Sequence, residues 1–303
     1  MIQNLAFKGG GVRGIAFVGA LRELKQAGEL ENITRVAGTS AGALVATMYA
    51  LGYSIDDIEK LMQGLDFKRF EDGFNPLRVI THYGLYEGNY ILDFAHKLLE
   101  GAGKGLSKTA TFADIKAAGC TDLFVFATNL NTHSVVELSA DKTPGAFVAE
   151  AVRASMSIPV FFKAWQFSNS IPDNHIYVDG GMVFNYPLSF FDNDRFLSDS
   201  ALNLNQETVG LFLTSAPWKE IHKELAFDTL MHYTRHLFET LLDVQDQDIH
   251  QDGDQLKRSI MIDDLGIAAT NFHLSINDMN NLVESGAAGA RNFLKKNPTI
   301  IKL

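Results

Sequence analysis

The hydrophobic positions of this chain change period repeatedly, and the order of the changes predicts strands alternating with helices. A short apolar run at residues 4–7 reads as a strand, and beyond a glycine cluster Ile15, Val18, Leu21 and Leu24 recur at spacings of three. That stripe predicts a helix over residues 15–27, with Gly28 placed to stop it. A second strand, residues 34–37, runs directly into Gly38-Thr39-Ser40-Ala41-Gly42 and a helix that lacks a polar face. A helix apolar all round is buried all round, so this one belongs in the middle of the fold.

Ser54 with Asp57, and Thr111 with Asp114, resemble capping boxes and predict two further helix starts. Between them, residues 67–89 mix glycines, aromatics and charges as a long surface excursion does, which makes this segment a candidate mobile cover. Further helices are expected at residues 89–99, 146–155, 224–244 and 278–296, and further strands at 123–128, 134–138, 161–167, 176–178 and 209–213. The chain shows no internal repeat, low-complexity tract or proline-rich linker. One α/β domain over residues 1–303 is the economical reading, with a motif-bearing core at about 2–215 and a helical C-terminal portion at about 220–303.

Composition narrows the function. With 46% hydrophobic and 20% charged residues in a length of 303, disorder is excluded as a whole-chain description. The 26 basic and 36 acidic side chains leave a net charge of -10, which lacks the electrostatic footprint of a nucleic-acid binder. That acidity is confined to one part: residues 1–120 hold 13 of each sign, whereas 121–303 hold 13 basic and 23 acidic. Arg13, Lys68, Arg69 and Arg78 lie in the neutral part, where an anionic lipid surface meets no opposing excess. The single cysteine, Cys120, excludes an intramolecular disulfide. No apolar run approaches the roughly 18 residues of a membrane span, and the N-terminus shows no signal peptide. A cytoplasmic protein, or one exported without a cleavable signal, is expected.

Three short motifs carry candidate chemistry. Gly9-Gly10-Gly11-Val12-Arg13-Gly14 and Gly38-Thr39-Ser40-Ala41-Gly42 are separated by one strand-helix-strand unit, so in a parallel sheet both turns sit at carboxyl ends of strands on one edge. Gly-x-Ser-x-Gly between a strand and a helix is a nucleophile elbow, with Ser40 the candidate nucleophile. The glycine run has no side chains to block approach, so its amides can face a developing negative charge. Gly9, Gly11 and Gly14 also satisfy the dinucleotide pattern G-x-G-x-x-G, but that site wants an acid near the end of the second strand, and here the strand ends in Ala37-Gly38-Thr39-Ser40. Asp179, followed by Gly180-Gly181, ends a later strand and is the candidate base. An ordinary carboxylate with a pKa of about 3.9 is a weak base for a serine, so burial must raise it. A Ser-His-Asp triad would be the alternative, although of the nine histidines only His133 and His175 lie near a strand end. A noncatalytic lipid or protein interaction module is a further alternative. The aspartates at 243, 246, 248, 252 and 254 miss the spacing of a calcium loop, and no metal is expected.

These motifs in this order, with the stretch Arg153-Ala154-Ser155-Met156-Ser157-Ile158-Pro159-Val160-Phe161-Phe162, resemble the patatin-like phospholipase family, most closely its bacterial branch. The resemblance runs from about Ile2 to Pro187. It implies a three-layer α/β/α sandwich with a mainly parallel sheet, and hydrolysis of phospholipid or lysophospholipid esters without a cofactor. Carried over, Ser40 is the nucleophile, Asp179 the base, and the amides of Gly10, Gly11 and Val12 the oxyanion donors. Arg13 takes the family's basic position. The implied partner is a lipid surface met peripherally, and a protein activator is left open.

Overall fold

In the computed structural model, which describes residues 1–168, 170–197, 203–214 and 229–297, strands and helices alternate as the hydrophobic pattern predicts. The chain opens with β1 (Asn4–Phe7), α1 (Ala16–Gln26), β2 (Arg35–Thr39) and α2 (Ala41–Ala50), and continues through α3 (Ile55–Gln63), α4 (Arg78–His82), β3 (Gly84–Tyr86), α5 (Asn89–Gly101) and α6 (Phe112–Ala117). Next come β4 (Asp122–Asn129), β5 (Ser134–Ser139), α7 (Val148–Ser155), β6 (Val160–Phe162), β7 (Tyr177–Asp179) and β8 (Thr208–Thr214). The described C-terminal elements are α8 (Leu230–Gln251), α9 (Gly253–Lys257), β9 (Ser259–Asp263) and α10 (Ile276–Lys296).

Among the described residues seven strands form the central sheet, in the order β5-β4-β2-β1-β8-β9 with β7 also paired to β4. The pairs among β1, β2, β4, β8 and β9 are parallel, and β5 and β7 run antiparallel to β4. Because side chains alternate across a strand, the sheet divides its apolar residues between two cores. Leu5, Val36, Val125 and Leu211 face a core shared with α1, α2, α7 and α10, whereas Ala37, Phe124, Phe126 and Phe212 face an aromatic cluster with Phe191 and Phe196, backed by Ile249 of α8. The sheet is thus the middle of three layers. Helices α1 and α10 meet backbone to backbone: a Cβ added at Gly19 would fall 1.8 Å from the Val283 carbonyl oxygen, and one at Gly286 1.8 Å from that of Ala16.

Several expectations are corrected. The strand expected at 161–167 shortens to β6 and leaves the main sheet to pair in parallel with β3. The chain turns at Val160, a β-branched residue held at φ 63° directly after Pro159. The helix expected at 224–244 runs as α8 to Gln251, and its first five expected positions lie outside the described residues. The C-terminal portion is not purely helical, since β9 extends the central sheet beside β8. The excursion at 67–89 has its own order, with a 3-10 turn at Phe67–Glu71, α4 and β3.

The decisive feature for function is the use of β4. Strand β2 pairs with its first part, ending at Thr39 opposite Phe126, and β7 takes over on the same edge with Asp179 opposite Ala127, because β5 occupies the other edge. Two strands laid end to end therefore deliver Ser40 and Asp179 to one point.

Candidate active site

Ser40 has φ 53° and ψ -127°, a conformation costly for any residue with a side chain and typical of a nucleophile elbow. The serine itself carries the strain; Gly38 and Gly42 are required by contact instead. A Cβ at Gly38 would lie 2.4 Å from the Gly42 carbonyl oxygen, and one at Gly42 2.3 Å from that of Phe7. The Ser40 N–H donates to Ser155 Oγ at 2.9 Å, and that hydroxyl donates to the Phe126 carbonyl at 2.6 Å. Gly14 packs its Cα face against Ala41, which joins the two glycine turns.

Ser40 Oγ donates to Asp179 Oδ2 at 2.7 Å, and the Gly181 N–H donates to Asp179 Oδ1 at 2.7 Å. Asp179 is fully buried and its own N–H donates to the Ser157 carbonyl at 2.8 Å. Burial pushes its carboxyl up to about 7, a rise that the hydrogen bonds from Ser40 and Gly181 partly offset. Gly180 leaves room for the turn, since a Cβ there would meet the Phe126 carbonyl at 2.4 Å. A hydroxyl bonded to a buried carboxylate of near-neutral pKa is the arrangement that general-base activation of a serine requires. Among the described residues no histidine is hydrogen-bonded to Ser40 or Asp179; His175 bonds Asn129 instead.

The glycine loop is fixed from two sides. The Gly9 N–H donates to the Asn185 carbonyl at 2.9 Å, and the Val12 N–H donates to the Ala269 carbonyl at 3.0 Å. Gly11, at φ 57°, lies so close to Ala269 that a Cβ would fall 2.0 Å from its oxygen. This corrects the expected donor set: the amide of Val12 is already used, while those of Gly10 and Gly11 donate to no partner among the described residues and stay available. Arg13 is likewise committed, with Nη1 on Asp264 Oδ2 at 2.5 Å and Nε on the Gly10 carbonyl at 3.0 Å. It braces the loop rather than facing solvent.

Gly11 and Ser40 form one end of an apolar cavity walled by Leu44, Met62, Phe67, Phe70, Met156 and Phe162. Its free volume of about 20 Å³ is room for about one water, so a longer occupant must displace side chains. The two methionines are well suited to yielding.

Residues without a motif complete the site. Asn185 is buried between Gly9 and Gly181, and neither its side-chain nitrogen nor its oxygen has a partner among the described residues. From α8, Gln245 accepts from the Asn185 N–H at 2.9 Å and donates to the Gly181 carbonyl at 2.8 Å. Lys8, fully enclosed and next to the glycine loop, donates to Asp246 Oδ2 of α8 at 2.5 Å and to the Leu213 carbonyl at 2.6 Å. Burial lowers the lysine pKa and raises that of Asp246, each against the pull of its partner. Arg153, also fully buried, spans Ser157 Oγ and the carbonyls of Glu87 and Lys163, linking the aspartate's support to the base of the cover. Ser155, Ser157 and Arg153 fall in the 153–162 stretch; Gln245 and Asp246 stand on a helix whose pattern marks only its amphipathicity.

A family model described as "Patatin-like phospholipase" matches residues 5–192. An uncharacterized protein of Acanthamoeba polyphaga mimivirus is 32% identical over 71% of this chain and 71% of its own length. The uncharacterized protein YqhO of Bacillus subtilis is 30% identical over 96% of this chain and 97% of its own. Among solved structures, VipD from Legionella pneumophila superposes with a TM-score of 0.64 at 17% identity, over 97% of this chain and 67% of that one, and so shares the fold.

Proposed function

The chain belongs to the patatin-like phospholipase family, and from that premise we propose that it is a serine lipid acyl hydrolase working through a Ser40-Asp179 dyad and an acyl-enzyme. The observation that carries this reading is the 2.7 Å bond from Ser40 Oγ to a buried carboxyl whose pKa stands at about 7.

Asp179 Oδ2 takes the Ser40 proton as Oγ bonds to the ester carbonyl carbon, and the charge formed on the carbonyl oxygen is held by the amides of Gly10 and Gly11. Collapse of this intermediate breaks the ester bond, and the departing alcohol takes the proton back from Asp179. Water then attacks the acyl-serine with Asp179 again as base, releasing the fatty acid and restoring Ser40. Each loop amide accounts for about 3 to 4 kcal/mol of barrier lowering, by analogy with other oxyanion donors. The unpartnered Asn185 amide, beside the loop, is a further polar group for substrate or water.

The apolar cavity suits an acyl chain, and the neutral first part of the sequence tolerates a phosphate headgroup. Phospholipids or lysophospholipids, reached by peripheral contact with a membrane, are therefore the proposed substrates. The test is hydrolysis of a phospholipid and lysophospholipid panel together with labelling by a fluorophosphonate. Wild type should be labelled and active, Ser40→Ala neither, and Asp179→Asn inactive though folded. Near-normal turnover by Asp179→Asn would sink the dyad; labelling that persists in Ser40→Ala would sink the nucleophile assignment.

A further inference from the structure

The segment that follows the cavity wall carries unusually exposed apolar side chains: Phe74 is 62% exposed, Leu77 71%, Ile80 78% and Tyr83 56%. Leu77 and Ile80 are three residues apart at α4, so they project to one side. Although the chain as a whole carries a charge of -10, there is no acidic residue anywhere from Gly73 to Tyr86. Its one arginine, Arg78, is turned inward as a staple on Glu87 Oε1 at 2.7 Å and on the Gly73 carbonyl at 2.6 Å. Lys68 and Arg69, at the base of the segment, are exposed but stand among Asp66, Glu71 and Asp72, so the base carries no positive excess. It is the apolar tip itself, free of carboxylates, that has the chemistry of an interfacial anchor.

This tip is continuous with the cavity. Phe74 stacks on Tyr86 with ring centroids 5.6 Å apart, Tyr86 on Phe161 at 4.8 Å, Phe161 on Phe272 at 5.1 Å, and Phe272 on Phe70 at 5.6 Å. Phe70 and Phe272 both line the cavity at Ser40. An unbroken chain of aromatic contacts therefore runs from the exposed Phe74 to the cavity at Ser40.

We propose that residues 73–83 are a membrane-docking tip that seats Phe74, Leu77, Ile80 and Tyr83 in a lipid surface, and that the aromatic path leads an acyl chain from that surface to Ser40. This rests on the reading of the chain as a lipid acyl hydrolase, because a bilayer is the occupant that such an enzyme must reach. The other candidate occupants, a second copy of the chain and a protein partner, give the path to Ser40 no purpose.

The test separates docking from chemistry. Partition onto vesicles of phosphatidylcholine and phosphatidylglycerol in equal parts is measured in the Ser40→Ala background, where no lipid is consumed. Leu77→Ser with Ile80→Ser, both at exposed positions, should weaken partition on the order of tenfold or more. In the otherwise wild-type chain the same pair should lower vesicle hydrolysis in parallel and leave hydrolysis of soluble nitrophenyl butyrate unchanged. Phe74→Ser should act in the same direction and also slow vesicle hydrolysis at saturating lipid, because it interrupts the path. Undiminished vesicle partition overturns the proposal, as does an equal loss on the soluble ester, which would mean that the tip shapes the cavity instead. A wild-type dimer that Leu77→Glu dissolves without loss of vesicle binding assigns the patch to a second copy and also overturns it. If wild type hydrolyses neither substrate while partition still depends on Leu77 and Ile80, docking stands and the hydrolase reading fails.

Discussion

The opening β1–α2 unit and the C-terminal elements α8 to α10 reach the same site by different means. The first brings Ser40 and the amides of Gly10 and Gly11, unpaired among the described residues, into place through backbone geometry, with glycines where a Cβ would collide. The second offers no candidate for bond-breaking chemistry and works by polar contact: Asp246 on Lys8, Gln245 on Gly181 and Asn185, Asp264 on Arg13, and the carbonyl of Ala269 on Val12. The candidate nucleophile thus comes from a stretch dense in motifs, and part of the polar bracing around it comes from one with none. The comparison teaches that a region blank to motif reading can still hold an active site together.

The sharpest break should be in activity alone. Ser40→Ala or Asp179→Asn is expected to lower kcat on phospholipid by roughly ten-thousandfold or more, while circular dichroism stays that of wild type. Asp179→Asn carries a second signature. The folded pKa of about 7 exceeds an unfolded value of about 3.9, so the stability conferred by holding the proton is complete below pH ~4 and lost as pH rises through about 7. Up to about 4 kcal/mol is at stake, and at pH ~8 the variant should melt above wild type, with the difference gone at pH ~4.

Asp246→Ala should do the reverse, acting mainly on stability. It strands the buried Lys8 ammonium, and urea unfolding should show a loss of about 3 to 5 kcal/mol. A loss below about 1 kcal/mol would mean that α8 contributes little to holding the loop. The pH profile is a smaller probe. With Asp179 as base, kcat/KM on a soluble ester should rise roughly tenfold per pH unit at acid pH and level off near pH ~7; a plateau already reached by pH ~5 would contradict the pKa. The smallest effect is expected at Gln245→Ala, about 1 kcal/mol in stability with a several-fold fall in kcat and little change in KM. A change in KM alone would place Gln245 with substrate binding rather than with alignment.

Much of the reacting site was legible because strain and close approach leave marks in sequence. Ser40 lies between glycines that contact demands, and Asp179 precedes two more, so both stand out from the residues alone. Val12 was misplaced as a donor because nothing local signals that Ala269, more than two hundred residues away, takes its N–H. Strand β9 escaped notice for a related reason. Its three apolar residues fall within a portion whose pattern is otherwise helical, and it is pairing with β8 that makes them a strand. The apolar stretch from Phe161 misled in the opposite sense, since Arg153 holds the Lys163 carbonyl and the chain parts from the sheet. In each case a long-range partner decided what local pattern could not.

The shared edge of β4 also bears on how such a chain can change over time. Asp179 sits opposite Ala127 and Thr39, which directly precedes Ser40, opposite the neighbouring Phe126, so β4 serves as the ruler for the separation of Ser40 and Asp179. Loops between the motifs can lengthen without moving either group, because both strands are indexed to that ruler and not to each other. One residue inserted within β4 at this junction would shift Asp179 by about 3.3 Å and turn the neighbouring side chains to the opposite face. Length variation should therefore accumulate freely in the connections and be absent from these two positions.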